Sequence, residues 1–177
     1  SSPSGSINVL GPVAAGPSSS LAIAAADGLT LAGPVTGSQV LLKTTGGNGT
    51  ITQGAWPISA DTLTVDATGN VGLNGPNEVT TLAARVGAAE VNRTFEFSNV
   101  GDLAIGAGQD GIAGVMVSFT NRASGGRVVL QSGGALTQTA AGTLAGSEVY
   151  AAGASVDFST AANPGIISGR ATVGDFK

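Results

Sequence analysis

Few side chains in this sequence could do chemistry. With no Cys and no His, thiol nucleophiles, thiolate zinc sites, imidazole general bases and Ser-His-Asp catalysis are excluded. Eleven acids, seven Lys and Arg, one Trp and one Tyr remain. Two carboxylates held a few ångströms apart could cleave a glycosidic bond. However, Asp61, Asp66, Glu78, Glu90, Glu96, Asp102, Asp110, Glu148 and Asp157 stand singly along the chain. Arg85 and Arg93 lie near Glu90 and Glu96 and are expected to form solvated surface pairs. No catalytic residue is assigned.

Gly106-Ala-Gly108-Gln-Asp-Gly111 spells G-x-G-x-x-G, the pattern that seats a dinucleotide pyrophosphate where a strand meets a helix. Here Val115-Met-Val-Ser-Phe-Thr120 follows with strand character, and no acid lies about twenty residues on, so a Gly-rich loop is the better reading. Gly108-Gln-Asp110-Gly-Ile112 also matches part of a calcium-binding nonapeptide. Such sites need stacked copies, and Ile105 stands where the first glycine belongs, so a turn is expected. Neither a cofactor nor a metal is expected. Trp56 and Tyr150 could be binding platforms, but beside Pro57 and at a strand end they read as caps. Asn48-Gly-Thr50 and Asn92-Arg-Thr94 are glycosylation acceptors only under a eukaryotic route and otherwise turns. Thr44, Thr45, Thr50, Thr52, Thr62 and Thr64 could start an ice-binding array, but Thr does not recur at a constant step for long. No binding residue is assigned.

The elements that must position these residues follow from composition and periodicity. Gly makes up 29 of 177 residues, against about 7% in average domains. Only 10% of residues are charged, 4% are aromatic, and mean hydropathy is +0.31. These values exclude a disordered polyelectrolyte, and the glycines lack the every-third spacing of collagen. A net charge of −4 without basic runs argues against nucleic acid and against charge-driven membrane binding. No apolar stretch is long enough for a transmembrane helix.

Short alternating segments such as Leu63-Thr-Val65, Phe95-Glu-Phe97 and Val156-Asp-Phe158 have the period of half-buried strands. Apolar anchors at Leu21, Leu42, Leu63, Leu82, Leu103, Val128, Val149 and Ile167 recur about every 20 residues. A second series runs through Leu31, Ile51, Val71, Val91, Val115, Leu136 and Val156. Both stretch between Val91 and Val128, which places an insertion near 106–114. Ile51-Thr-Gln53 with Leu63, Val71 and Leu73 is echoed, about four periods later, by Leu136-Thr-Gln138 with Val149, Val156 and Phe158. Units this short cannot bury a face alone and must stack. Thr81–Val91, the one stretch with helical spacing, carries anchors of both series and is assigned to strand. The expected fold is all-β, a right-handed parallel β-helix (β-solenoid) with about 20 residues per coil. Residues 1–20, rich in Ser and Pro, read as a linker or N-terminal edge, and residues 21–177 form the helix.

The run Gly49-Thr-Ile-Thr-Gln53, Ile58-Ser-Ala-Asp-Thr-Leu-Thr-Val65 and Gly69-Asn-Val-Gly-Leu73-Asn-Gly-Pro-Asn77 resembles the repeats of filamentous-haemagglutinin-type exoproteins. So does Phe95-Glu-Phe-Ser-Asn-Val-Gly-Asp-Leu-Ala-Ile-Gly106. These are large adhesins of Gram-negative two-partner secretion. The likeness covers about residues 39–170 and is strongest over 49–106 and 128–163. It implies a β-helical shaft exported through an outer-membrane transporter to the cell surface. There it would meet a host or neighbouring-cell receptor or glycan, or present a distal module. Nothing in 1–177 resembles the family's amino-terminal secretion domain, so the resemblance places the chain in the shaft. The expected function is therefore non-enzymatic attachment or presentation. Two alternatives remain: a carbohydrate-active β-helix of the polysaccharide-lyase or tailspike kind, and a structural filament whose coils associate end to end.

Overall fold

A computed structural model describes residues 5–87, 92–118, 126–160 and 166–177. Within them the chain is all-β, a parallel β-solenoid of about 7 turns with about 22 residues per turn. The first coil comprises β1 (Ser6–Val9), β2 (Val13–Ala14) and β3 (Ser20–Ala25). The second comprises β4 (Gly28–Leu31) and β5 (Val35–Thr44), and the third β6 (Thr50–Gln53) and β7 (Ile58–Ala67). The fourth is the single bent strand β8 (Val71–Val86). The fifth holds β9 (Thr94–Asn99), β10 (Leu103–Ile105) and β11 (Val115–Val117). The sixth holds β12 (Arg127–Ser132), β13 (Ala135–Gln138) and β14 (Leu144–Ala145). β15 (Glu148–Gly153) and β16 (Ser155–Asp157) form the seventh, and β17 (Ile166–Ala171) lies on it. Residues 1–20 were expected as a linker or edge. Within them, Ser6–Val9 pairs with Gly28–Leu31 and Val13–Ala14 pairs with Val35–Thr36, so 6–14 belong to the edge coil.

Two walls face each other across the core. In the first, one inward column reads Ile7, Leu29, Ile51, Val71, Phe95, Val128, Val149 and Ile167. In the second, Leu21, Val40, Leu63, Leu82 and Ile105 align, and Ile23, Leu42, Val65, Ala84, Val115 and Leu144 form the next column. Strand alternation sends these side chains inward: β9 reads Thr-Phe-Glu-Phe-Ser-Asn, with both Phe and the Asn buried. The space between walls is thin, so Val, Leu, Ile and Ala fill most of it, and Phe95 and Phe97 stack with centroids 6.5 Å apart.

The evenly spaced anchors do not all share a column. Leu21, Leu63 and Leu82 do, but Leu42 lies one column over and Val128, Val149 and Ile167 lie in the other wall. Val91 lies outside the described residues. The echoed Ile51-Thr-Gln53 is in the first wall and Leu136-Thr-Gln138 in the second. Corners vary in length independently of the strands, so a constant sequence step moves from one column to another. Thr81–Val86 is the end of β8, a strand; 88–91 lie outside the described residues.

One coil is long for a local reason. Ile105 pairs with Leu82 and Val115 with Ala84, so the chain travels from 105 to 115 where the coil below needs only 82 to 84. The extra residues, Gly106–Gly114, leave the wall and return in register.

Candidate functional site: a strapped charge ladder and an acidic groove

On the outer face of the second wall, parallel pairing sets Lys43 beside Asp66 and Asp66 beside Arg85. Lys43 Nζ lies 3.0 Å from Asp66 Oδ2. Arg85 grips the same carboxylate with both its Nε, 3.0 Å from Oδ1, and its Nη2, 2.9 Å from Oδ2. Partial burial alone would raise the Asp66 pKa. Hydrogen bonds from Arg85 and then Lys43, backed by their charges, hold it below its ordinary value. Hydrogen bonds to Asp66 and then Asp110 push the Lys43 ammonium up. The Asp66 carboxylate is thus kept ionised and saturated with donors, an arrangement that ties coils together and has no proton to give near neutral pH.

Gly106–Gly114 folds over this face as a strap. Ala107 bridges Ala113 antiparallel, Gly108 N donates to Ile112 O at 2.8 Å, and Asp110 (φ 52°) and Gly111 (φ 68°) make the left-handed tip. Gln109 N donates to Thr64 Oγ1 at 2.8 Å, and Asp110 Oδ2 reaches Lys43 Nζ at 3.2 Å. A Cβ on Gly108 would lie 2.4 Å from Thr64 Oγ1 and 2.7 Å from the Ala83 Cβ, so glycine is required for this approach. Beneath, the outward-facing Leu41, Thr64 and Ala83 are buried, as is Ile112 of the strap itself. The residues spelling G-x-G-x-x-G are therefore a covering hairpin that leads into strand β11 where a dinucleotide site needs a helix. Asp110, central to the calcium-like match, holds a lysine.

Where β5, β7 and β8 bend, the wall bears a shallow groove of about 550 Å³. Ser18, Thr36, Ser38, Ser59, Asp61, Glu78 and Thr80 supply its polar lining. Ser38 Oγ donates to Asp61 Oδ2 at 2.6 Å, and Glu78 is exposed. A second hollow of about 520 Å³ continues it along Glu78, Thr80, Val100 and Asp102.

The remaining singled-out residues are dispersed. Glu90 lies outside the described residues. Arg85 meets Asp66, and Arg93 donates to Thr68 O at 3.0 Å and to Asn48 Oδ1 at 2.6 Å, so neither forms the expected pair with Glu96. Glu96 instead accepts from Asn74 Nδ2 at 3.0 Å, with Arg127 at 4.0 Å. Asp102 accepts from Ala135 N at 2.7 Å. Hydrogen bonds from the Ser159 side chain and backbone keep the Asp157 carboxyl below its usual range. Glu148 and Tyr150 border a small hollow of about 360 Å³ with Arg127 and Ser168 on the first wall, far from Asp66 on the second. Trp56 is 55% exposed at a corner, its carbonyl accepting from Gln53 Nε2 at 2.7 Å. Thr44 and Thr64 are buried and hydrogen-bonded, and Thr30 with Thr52 and Thr62 with Thr81 make outer ladders of two.

Sequence reasoning missed Lys43 and the corner where half-buried Gln53 meets buried Asn77, with buried Asn99 one coil on. Asn77 Oδ1 accepts from Ile58 N at 2.9 Å and Gln53 Nε2 at 2.6 Å, and its Nδ2 donates to Leu73 O at 3.1 Å and Ser98 O at 2.9 Å. Asn99 repeats this one coil on with Val79 N at 2.8 Å and Val79 O at 3.0 Å. The available signal was an Asn recurring one coil later, at 77 and then at 99, in an otherwise apolar phase. Comparison with protein-family models, with curated proteins and with solved structures returned no match to this chain.

Proposed function

We propose that the chain is a segment of a secreted, cell-surface shaft that holds a distal binding or toxin module away from the cell. The supporting observation is the unbroken parallel stack, whose coils are joined by backbone ladders on both walls and tied laterally by Lys43, Asp66, Arg85 and the strap. A stack of this kind resists bending because each interior coil is bonded to both its neighbours on both walls. The resemblance of Gly49–Asn77 and Phe95–Gly106 to filamentous-haemagglutinin-type repeats supplies the location and the route, an outer-membrane transporter of a two-partner system. A receptor or glycan on a host or neighbouring cell is the partner this reading implies. Antibodies raised against residues 1–177 test it: they should label intact cells that make the parent polypeptide. Labelling only after permeabilisation would overturn the proposal.

A second reading is favoured by the groove. Hydroxyls of Thr36, Ser38, Ser59 and Thr80 beside Asp61 and Glu78 suit a polyhydroxylated ligand, as on a carbohydrate-active β-helix. Release of new reducing ends or unsaturated sugars from a polysaccharide panel, lost in Asp61→Asn and Glu78→Gln, would establish it. No release by the wild type would exclude it.

A further inference from the structure

Coils of a solenoid ordinarily touch only their immediate neighbours, so stability is a sum over adjacent interfaces and coils can detach one at a time. Among the described residues, the ties depart from that rule in one region. The strap leaves the fifth coil, bonds Thr64 in the third and ends on Lys43 in the second. It covers Leu41, Thr64 and Ala83, one residue from each of the three coils below it. At the corner just past the Lys43–Asp66–Arg85 ladder, Arg93 just before β9 reaches Asn48 just before β6, again skipping a coil. Toward the two ends of the stack the ties reach the next coil. Gly5 N bonds Asp27, Ala135 N bonds Asp102, Gly126 N bonds Ser147, and Phe176 bridges Val156.

We infer that the strap fuses the second to fifth coils into one cooperative block, a built-in clamp from which the flanking coils peel first when the chain is pulled from its ends. To lift the second coil away from the third, the Asp110–Lys43 bond and the Ile112 packing must break as well as the local ladder. To lift the fifth coil from the fourth, the strap must slide off Ala83 and Thr64. Neither step can happen alone, so the interfaces inside the block open together. The first and seventh coils lie outside the reach of the strap, and the sixth meets only its two ends, Gly106 and Gly114, as an ordinary neighbour; these coils detach singly. The clamp is a property of the stack itself and holds whether or not the chain is a cell-surface shaft.

Optical-tweezers unfolding of the whole chain from its two termini tests it. The wild type should release the flanking coils in steps of about 70 Å each, the contour of a 22-residue coil. A final rip at higher force should then release about 300 Å, the contour of residues 28–117. Replacing Gly106–Gly114 by a single alanine restores the spacing that Ala83 provides between Leu82 and Ala84. That variant should lose the large rip and unfold in coil-sized steps throughout. Coil-sized steps in the wild type, or a large rip that survives in the strapless chain, would overturn the inference. Native-state hydrogen exchange on the unmodified chain gives a readout that needs no variant. Amides of β5, β7 and β8 should exchange as one group, at least about tenfold slower than those of β12 and β15. Equal protection along the stack would overturn it.

Discussion

Asp66 lies between two cations, and its titration is the clearest handle on the charge ladder. Its folded pKa lies below the ordinary 3.8, so its ion pairs stabilise the fold fully above that value and are lost as pH falls through the folded value. Lys43, raised above 10.5, contributes fully below that value and loses its contribution as pH rises through its folded pKa. Because Lys43 and Arg85 are 30% and 50% exposed, solvent screens the ladder. Asp66→Asn should therefore cost about 1 kcal/mol at neutral pH, with the gap from wild type closing as pH falls below 3.8 and through the folded pKa. Urea titrations of both proteins across pH check this, and a gap that persists in acid would contradict it. Asn77 belongs to a drier setting, with 0% exposure and four partners. Asn77→Ala strands the Ile58 N–H and the Leu73 carbonyl, and should cost about 2–4 kcal/mol in the same titration. A loss under about 1 kcal/mol, roughly one ordinary hydrogen bond, would mean that water replaces the amide. The Lys43 role was not legible in the sequence, and the one trace of the Asn77 role was the Asn that recurs a coil later at 99. Lys43 and Asp66 are a full coil apart along the chain and meet only through strand register. Asn77 reads in sequence as one more corner residue, and only the fold turns its side chain inward.

At the level of the strand, period-2 alternation was enough to identify most of the walls, because a one-residue slip would turn every apolar side chain outward. Corners were less legible. They obey local turn chemistry and vary in length without disturbing the ladder, which is why evenly spaced anchors crossed between walls. The long coil was legible as a stretch in spacing near 106–114. Its folding back over Thr64 was not, since nothing local to Gly108 names a partner two coils earlier. The fifth coil also carries the bulkiest filling. In the first wall, Phe97 aligns with Leu73 below and Leu130 above, all fully buried. Phe97→Ala should cost about 3–5 kcal/mol, because strands bonded on both sides cannot collapse into the cavity. Phe97→Leu, which gives this coil the residue its neighbours use, should cost less than about 1.5 kcal/mol. Thermal unfolding of the two variants distinguishes them, and equal losses would show that ring stacking with Phe95 outweighs volume.

Across the described residues, the same pairing that builds the stack leaves an unpaired strand edge in its first and last coils. Among the described residues, β1, β2 and β3 pair only toward the second coil, and β17 pairs only with β15. Each end therefore presents a row of backbone donors and acceptors, the template that edge strands offer to another chain. The two ends are not alike: the first coil shows Ser6, Asn8 and Ala22 outward without a charge, whereas the last carries Arg170 and Lys177 near Asp175. Head-to-tail contact adds a coil in the direction the ladder already runs, while head-to-head contact would have to pair antiparallel. The expected outcome is concentration-dependent growth of the chain along one axis, in increments of about 34 Å for seven coils at about 4.8 Å each. Asn8→Lys with Ala22→Lys places two charges on the outer face of the first coil and should suppress that growth without altering the β-sheet circular dichroism signal. Small-angle scattering across a dilution series reads both effects. A particle whose longest dimension stays constant over the whole series would show that the end coils are closed to a second copy.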